Sequence, residues 1–159
     1  MTEFKNKIAL VTGAGAGIGR ATAVALSVKG AKVIVTDFNE TSGNETVTKI
    51  NSSGGKAIFY KLDVSNNEEV KSVINTIYKN EGSIDFAVNN AGVGGNFAGI
   101  HDLDVNDWNN TININLTGVF SCMQSQIQCM LKKGFGRIVN VASMAGIKGV
   151  GGGSAYCAS

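Results

Sequence analysis

Val11 to Gly19 reads V-T-G-A-G-A-G-I-G, the point where an apolar run gives way to glycines and a helically periodic run begins. Upstream, Lys7 to Thr12 is K-I-A-L-V-T, a short apolar run with polar and glycine punctuation, which predicts a strand buried on both faces. Downstream, Ile18, Ala21, Ala25 and Val28 recur at helical spacing and stop at Gly30, a C′ glycine. The predicted unit is strand, glycine turn, helix.

Such a turn aims free backbone N–H groups and the positive end of a helix dipole at one point, and glycines let a phosphate approach without meeting a Cβ. The literal G-x-G-x-x-G spacing does not fit, because the sixth place falls on Ile18 counted from Gly13 and on Arg20 counted from Gly15. T-G-x-x-x-G-x-G does fit, on Thr12, Gly13, Gly17 and Gly19. No Gly-Lys-Ser/Thr closes the turn, which excludes a Walker loop. On these residues alone, a pyrophosphate turn and a merely tight strand-to-helix connection both remain open.

The 159 residues are 43% hydrophobic and 16% charged, which suits one globular domain with a sizeable core. A formal net charge of +2, with Lys and Arg scattered, gives no basic stripe, and nucleic acid is set aside. The N-terminal M-T-E-F-K-N-K carries no apolar signal region and no run approaches the roughly 18 apolar residues of a membrane span, so a cytoplasmic protein without membrane contact is expected. Cys122, Cys129 and Cys157 match neither a disulfide framework nor a zinc spacing, and reduced thiols with no metal site are expected. If Cys122 and Cys129 share a helix, they stand about 10 Å apart, too far to pair.

Lys32 to Thr36 predicts a second strand, with Asp37 at its end, 18 residues past Gly19. A carboxylate there accepts hydrogen bonds from the ribose hydroxyls of NAD and repels the extra phosphate of NADP. Ala16 and Phe38 are uncharged and invite no such phosphate. The plainer reading of Asp37 is a turn residue or N-cap. Asn39 to Ser52 reads as a polar helix and Lys56 to Leu62 as a third strand, followed by Asp63 and Val64. Asp63 suits an adenine hydrogen bond, with Val64 covering the ring, or a cap for the next helix, whose face is Val70, Val73, Ile74, Ile77 and Tyr78. Ser83 to Val88 predicts the fourth strand, ending in Asn89-Asn90-Ala91-Gly92, whose amides can pin neighbouring strand ends. A long helix is expected from Asp104 or Asn106 to about Lys133. Its apolar stripe of Val105, Trp108, Ile112, Leu116, Val119, Met123, Ile127 and Met130 reads as core and interface. Asn115 lies near that stripe, where asparagine is a poor helix former and a buried amide needs partners. Arg137 to Ala142 predicts a fifth strand with Ser143 at its end, and a glycine-rich loop leads to Ser154-Ala155-Tyr156 at the start of another helix.

T-G-A-G-A-G-I-G, Asp37, Asp63-Val64, N-N-A-G, N-L-T-G-V-F at Asn115, and Ser143 followed 13 residues later by Tyr156 together resemble the short-chain dehydrogenase/reductase family. The resemblance runs along essentially the whole chain and covers about the first two thirds of a typical member. It implies a Rossmann-like doubly wound parallel α/β sheet, a single domain with five of the family's strands. It also implies an oxidoreductase moving hydride between NAD(H) and the CH–OH or C=O group of a small alcohol or ketone, working as a homo-oligomer, dimer or tetramer, when full length. In that pattern Tyr156 is the general acid/base, Ser143 holds the substrate oxygen and Asn115 supports a proton relay. The cofactor is met by Thr12, Gly13, Ala16, Gly17, Ile18, Gly19, Asp37, Phe38, Asp63, Val64, Asn89, Ala91, Gly92 and Tyr156.

A tyrosine with its ordinary pKa of about 10 is a poor base near neutrality, and the family supplies a lysine four residues later. The sequence ends at Ser159, one residue short of that place, so an N-terminal portion inactive by itself is expected. A dinucleotide-binding or interaction module without chemistry is the alternative. A methyltransferase on a related sheet is disfavoured, because its glycine turn usually follows an acidic residue and Thr12 stands here.

Overall fold

Leu10 and Ile34 are wholly buried on one face of the sheet, while Val11, Val33 and Val35 are wholly buried on the other. Near-continuous apolar strands of this kind belong in a sheet covered on both sides, and that is what the computed structural model, which describes residues 3–159, contains. The chain runs β1 (Ile8–Thr12), α1 (Gly17–Val28), β2 (Lys32–Asp37), α2 (Glu40–Ser52), β3 (Lys56–Lys61), α3 (Asn67–Glu81) and β4 (Phe86–Asn89). It continues through α4 (Val105–Ile112), a π-helical turn (Asn113–Thr117), α5 (Gly118–Lys133), β5 (Arg137–Asn140), a 3-10 turn (Met144–Gly146) and α6 (Ser154–Ala158). The five strands are parallel in the order β3-β2-β1-β4-β5, with Val11 level with Val35 on one side and Val88 on the other.

The core has two halves, one on each face. Val70, Ile74 and Ile77 of α3 and Cys122, Cys129 and Met130 of α5 pack on Leu10, Ile34 and Ala87, whereas Ala23 of α1 and Ile50 of α2 pack on Val11, Val33 and Val35. Each fully buried leucine, isoleucine or valine contributes about 1.5 to 3 kcal/mol relative to exposure, so these two layers dominate the stability. The doubly wound single domain agrees with the expectation. The face expected for α3 is also as observed, with Val73 and Tyr78 at its margin.

Two helices bury residues other than the ones whose spacing predicted them. In α1, Ile18 is 67% and Val28 75% exposed, and Gly19 and Ala23 face the sheet. The helix lies so close to the glycine turn that a Cβ at Gly19 would collide with the carbonyl oxygen of Gly13. The long helix after Asp104 has the expected extent, but of its predicted stripe only Met130 is buried, while Val105, Leu116 and Ile127 are exposed. The face laid inward is Ser121, Cys122, Ser125, Gln126, Cys129 and Met130. A π turn takes an extra residue per turn, so positions spaced for a straight α-helix on either side of Asn113–Thr117 fall on different faces. As core, that stripe is corrected.

The helix caps bring a further correction. The side chains of Asn39, Asn66 and Asp104 accept from Ser42 N–H, Glu69 N–H and Asn106 N–H at the starts of α2, α3 and α4. The cap of α3 is therefore Asn66, and Asp63 instead accepts from the N–H and hydroxyl of Ser65. Among the described residues no helix is long and apolar enough to cross a membrane.

Candidate active site

Every strand ends at the same rim, and the strand order reverses between β1 and β4, the place where open α/β sheets take their ligands. Thr12 closes β1 there and is buried. Its Oγ1 accepts from Asn90 N–H at 3.0 Å and Ala91 N–H at 3.1 Å, while Asn90 Nδ2 donates to the carbonyls of Thr12 and Gly13, both at 3.1 Å. Gly13 has a φ of +61°, and a Cβ on it would lie 2.7 Å from Ala91 Cα. The turn after β1 is thus locked on its inner side by the amides after β4, as N-N-A-G predicted, though the asparagine that does it is Asn90.

The outer side of the turn is open. Around Gly17, with φ +51°, nothing comes within 4 Å of a built Cβ, and Ala16, Gly17 and Ile18 are exposed. Ala16 gives α1 no side-chain cap, so among the described residues the first N–H groups of α1 have no internal partner, in contrast to α2, α3 and α4. This cradle fits an anionic phosphate group. Beside it, Asp37 at the end of β2 accepts from Gly15 N–H at 2.7 Å through Oδ2 and from Asn39 N–H at 2.8 Å through Oδ1. Phe38 is 69% exposed at the same rim.

Two expected cofactor residues turn their side chains inward. Asn89 is 1% exposed, and its amide exchanges hydrogen bonds with buried Gln126 at 2.8 and 3.1 Å and donates to Asn140 Oδ1 at 2.9 Å, which consumes it within the β4, β5 and α5 layer. Val64 is buried in the α3 and α5 core with its side chain against Gly118. Both side chains are directed into the fold. Asp63 and Gly92 remain at the rim, Gly92 next to Asn115.

Asn115 lies in the π turn. Its Oδ1 accepts from Val93 N–H at 2.8 Å, and its Nδ2 donates to the Val93 carbonyl and to Ser159 Oγ, both at 2.9 Å. Ser159 Oγ in turn donates to the Tyr156 carbonyl at 3.1 Å, so the π turn, the loop after β4 and the helix carrying Tyr156 are wired together. β5 stops at Asn140, short of the expected Ala142, so Ser143 lies three residues past the strand. It is exposed, its Oγ accepts from Ala145 N–H at 3.2 Å, and α6 packs on the 3-10 turn that follows. Tyr156 is half-buried on α6. The loop before it is fastened by Ala98 N–H donating to the Gly152 carbonyl at 3.0 Å. Asn90, Gly15 and Ser159 were not among the expected site residues. Only Asn90 had a signal, as the second amide of the N-N pair.

The cysteines take no part. Burial pushes the Cys122 thiol up to about 12, and burial, partly offset by the Lys132 charge, raises that of Cys129. All three thiols are free, and among the described residues no group of His, Cys, Asp and Glu is arranged to hold a metal.

A parallel sheet whose strand order reverses beside an open glycine turn, with a carboxylate closing β2, defines a doubly wound α/β protein. A family model described as short chain dehydrogenase matches residues 7–159, and the chain belongs to that family. It is 42% identical over its full length to a 3beta-hydroxysteroid dehydrogenase of Mediterraneibacter gnavus, covering 57% of that protein. It is 37% identical over 99% of its length to a cyclohexanol dehydrogenase of an Acinetobacter species, covering 62% of it. Among solved structures, an NAD+-bound xylitol dehydrogenase superposes with a TM-score of 0.94 at 37% identity, over 97% of this chain and 59% of that one. The chain therefore spans about three fifths of the length of these relatives.

Proposed function

We propose that this chain is the dinucleotide-binding part of an NAD(H)-dependent oxidoreductase that interconverts an alcohol and a ketone. The observation that carries the reading is the uncapped start of α1 opening at Gly17, with Asp37 beside it and no cation at Ala16 or Phe38. Pyrophosphate would lie on the N–H groups of the first turn of α1, and Asp37 would accept from the adenosine ribose hydroxyls and repel a 2′-phosphate. When bound, the nicotinamide supplies or accepts the hydride. Tyr156 gives a proton to the ketone oxygen or takes one from the alcohol, Ser143 donates a hydrogen bond to that oxygen, and Asn115 keeps the loop and α6 in register. The relatives named for hydroxysteroid and cyclohexanol oxidation support a carbocyclic substrate, as do the exposed apolar Val93, Phe97, Met144, Ile147 and Val150 on the loops after β4 and β5.

We further read the exposed Leu116 of the π turn with Phe120, Ile127 and Leu131 of α5 as the surface of a homo-oligomer, and the free thiols as suiting the cytoplasm. Calorimetric titration tests the cofactor: NAD(H) is expected to bind at least tenfold tighter than NADP(H), about 1.4 kcal/mol. Equal or tighter NADP(H) binding overturns it. In the active protein that carries these residues, Tyr156→Phe is expected to abolish NADH formation from secondary alcohols with NAD+ binding retained.

A further inference from the structure

Gly15 occupies one of the places that T-G-x-x-x-G-x-G leaves free, so the spacing gives no reason for a glycine there. The structure supplies one. A Cβ at Gly15 would sit 2.7 Å from Asp37 Oδ2 and collide with Ser42 Oγ, and the Gly15 N–H donates to that same Oδ2 at 2.7 Å. The other carboxylate oxygen holds Asn39 N–H, directly ahead of α2. One carboxylate thus bridges the phosphate turn and the start of α2.

The neighbouring residue of the turn is held from α2 itself. Buried Thr46 of α2 donates from Oγ1 to the Ala14 carbonyl at 2.9 Å, and Arg20 of α1 donates to Thr46 Oγ1 at 2.9 Å and to the Ser42 carbonyl at 3.2 Å. The backbone at Ala14 and Gly15 is therefore gripped at two successive points, by Thr46 of α2 and by Asp37 at the end of β2, and only the Asp37 point carries charge. Charge-assisted hydrogen bonds are roughly twice as strong as neutral ones. Gly15 has no side chain to limit its own conformation, so losing this bond frees the turn, and any phosphate that binds must then order it.

We propose that Asp37 is a positioning residue of the phosphate turn as well as its ribose acceptor, so that removing its carboxylate weakens NAD(H) and NADP(H) together instead of exchanging one for the other. This rests on the NAD(H) reading above. An ionised carboxylate has about four lone-pair sites, so the two N–H bonds leave acceptors free for ribose hydroxyls. If Asp37 acted only by repelling a 2′-phosphate, its removal would raise NADP+ affinity.

The test compares the unmodified protein with Asp37→Ala, Asp37→Asn and Gly15→Ala. NAD+ and NADP+ affinities are measured by calorimetry, and the Gly15 amide shift and hydrogen-exchange rate by NMR on the protein without nucleotide. Asp37→Asn keeps the side-chain shape and guards against a variant that fails to fold. Gly15→Ala keeps the charge but displaces it from the turn. The expected result is at least a tenfold loss of NAD+ affinity in all three, NADP+ affinity no tighter than in the unmodified protein, and at least tenfold faster Gly15 amide exchange in both Asp37 variants. Tighter NADP+ binding by Asp37→Ala, or an unchanged Gly15 amide in both Asp37 variants, overturns the proposal. Failure of the unmodified protein to bind either dinucleotide sinks the NAD(H) reading, and the Gly15 amide still decides the latch.

Discussion

Asn115 satisfies both backbone polar groups of Val93, accepting from its N–H at 2.8 Å and donating to its carbonyl at 2.9 Å. Asparagine is a poor helix former, and here it sits where the long helix widens into a π turn, a geometry frequent at functional sites. The side-chain bonds to Val93 offset that local cost by fastening the loop after β4 to the helix. Asn115→Ala is expected to destabilise the protein by about 1 kcal/mol, since the site is partly solvated, and to lower Tm by about 2 to 4 °C. Hydrogen exchange at Val93 should quicken in the same variant. An unchanged Val93 amide would show that the loop is held by something else.

The Asn89 and Gln126 side chains, 1% and 0% exposed, exchange two hydrogen bonds in the core between β4 and α5, with Asn89 also donating to Asn140. Gln126→Leu leaves Asn89 Oδ1 buried with no donor, a loss of about 1 to 3 kcal/mol. Replacing both amides by leucine should recover part of that loss. Urea unfolding of the two single variants and the double gives the coupling, expected at about 0.5 to 3 kcal/mol. Additivity would mean that the two amides act independently.

The strands and the glycine turn were legible because each β-branched run stops at glycine or at Asn/Asp, and punctuation of that kind survives in a single sequence. The inward faces of α1 and α5 were not, because a helix lying close on a sheet buries small residues such as Gly19, Ala23, Ser121 and Ser125, which a search for apolar periodicity passes over. The π turn has no spacing signature, and its one trace was the misplaced Asn115. At the rim, N-N-A-G marked the right place without telling the buried Asn89 from the turn-locking Asn90, a choice made only when successive side chains take opposite faces of β4. The bond from Gly15 to Asp37 joins residues 22 apart and exists only once β1 and β2 pair.

β5 lies at one edge of the sheet, with Val139 exposed on one of its faces and Ile127 and Leu131 of α5 exposed beside Ile138 on the other. An apolar parallel edge with unpaired N–H and carbonyl groups recruits other chains. The 159-residue chain is therefore expected to elute from size exclusion as self-associated species whose fraction grows with concentration. Val139→Lys should shift it towards monomer. Identical, cleanly monomeric elution of both forms would rule out this edge as the contact.

The opposite end of the sheet is locked by Asp85, whose side chain is 0% exposed just before β4. Its carboxylate accepts from Ile8 N–H at 2.9 Å, Lys133 Nζ at 2.8 Å and Lys7 Nζ at 3.4 Å, so one group ties β1, β4 and the end of α5 together. Phe4, Phe86 and Phe135 pack beside it, the first two with centroids 4.9 Å apart, and Lys7 lies over the Phe135 ring. Burial pushes this carboxyl up, but the Lys133 hydrogen bond, the Ile8 N–H and the charges of Lys133 and Lys7 outweigh it and hold it below the ordinary value. A carboxyl depressed in the folded state adds stability that is complete above its unfolded pKa of about 4 and is lost as pH falls through the folded value. Asp85→Asn keeps the shape, removes the charge and turns an N–H donor towards the other donors, at a cost of about 1 to 3 kcal/mol at neutral pH. The stability gap between the two proteins should stay constant above about pH 5 and narrow below about pH 4, as the unmodified protein loses what the variant never had. Urea unfolding between about pH 7 and pH 3 measures it, and a gap that does not change with pH would show that Asp85 acts through shape and hydrogen bonding instead of charge.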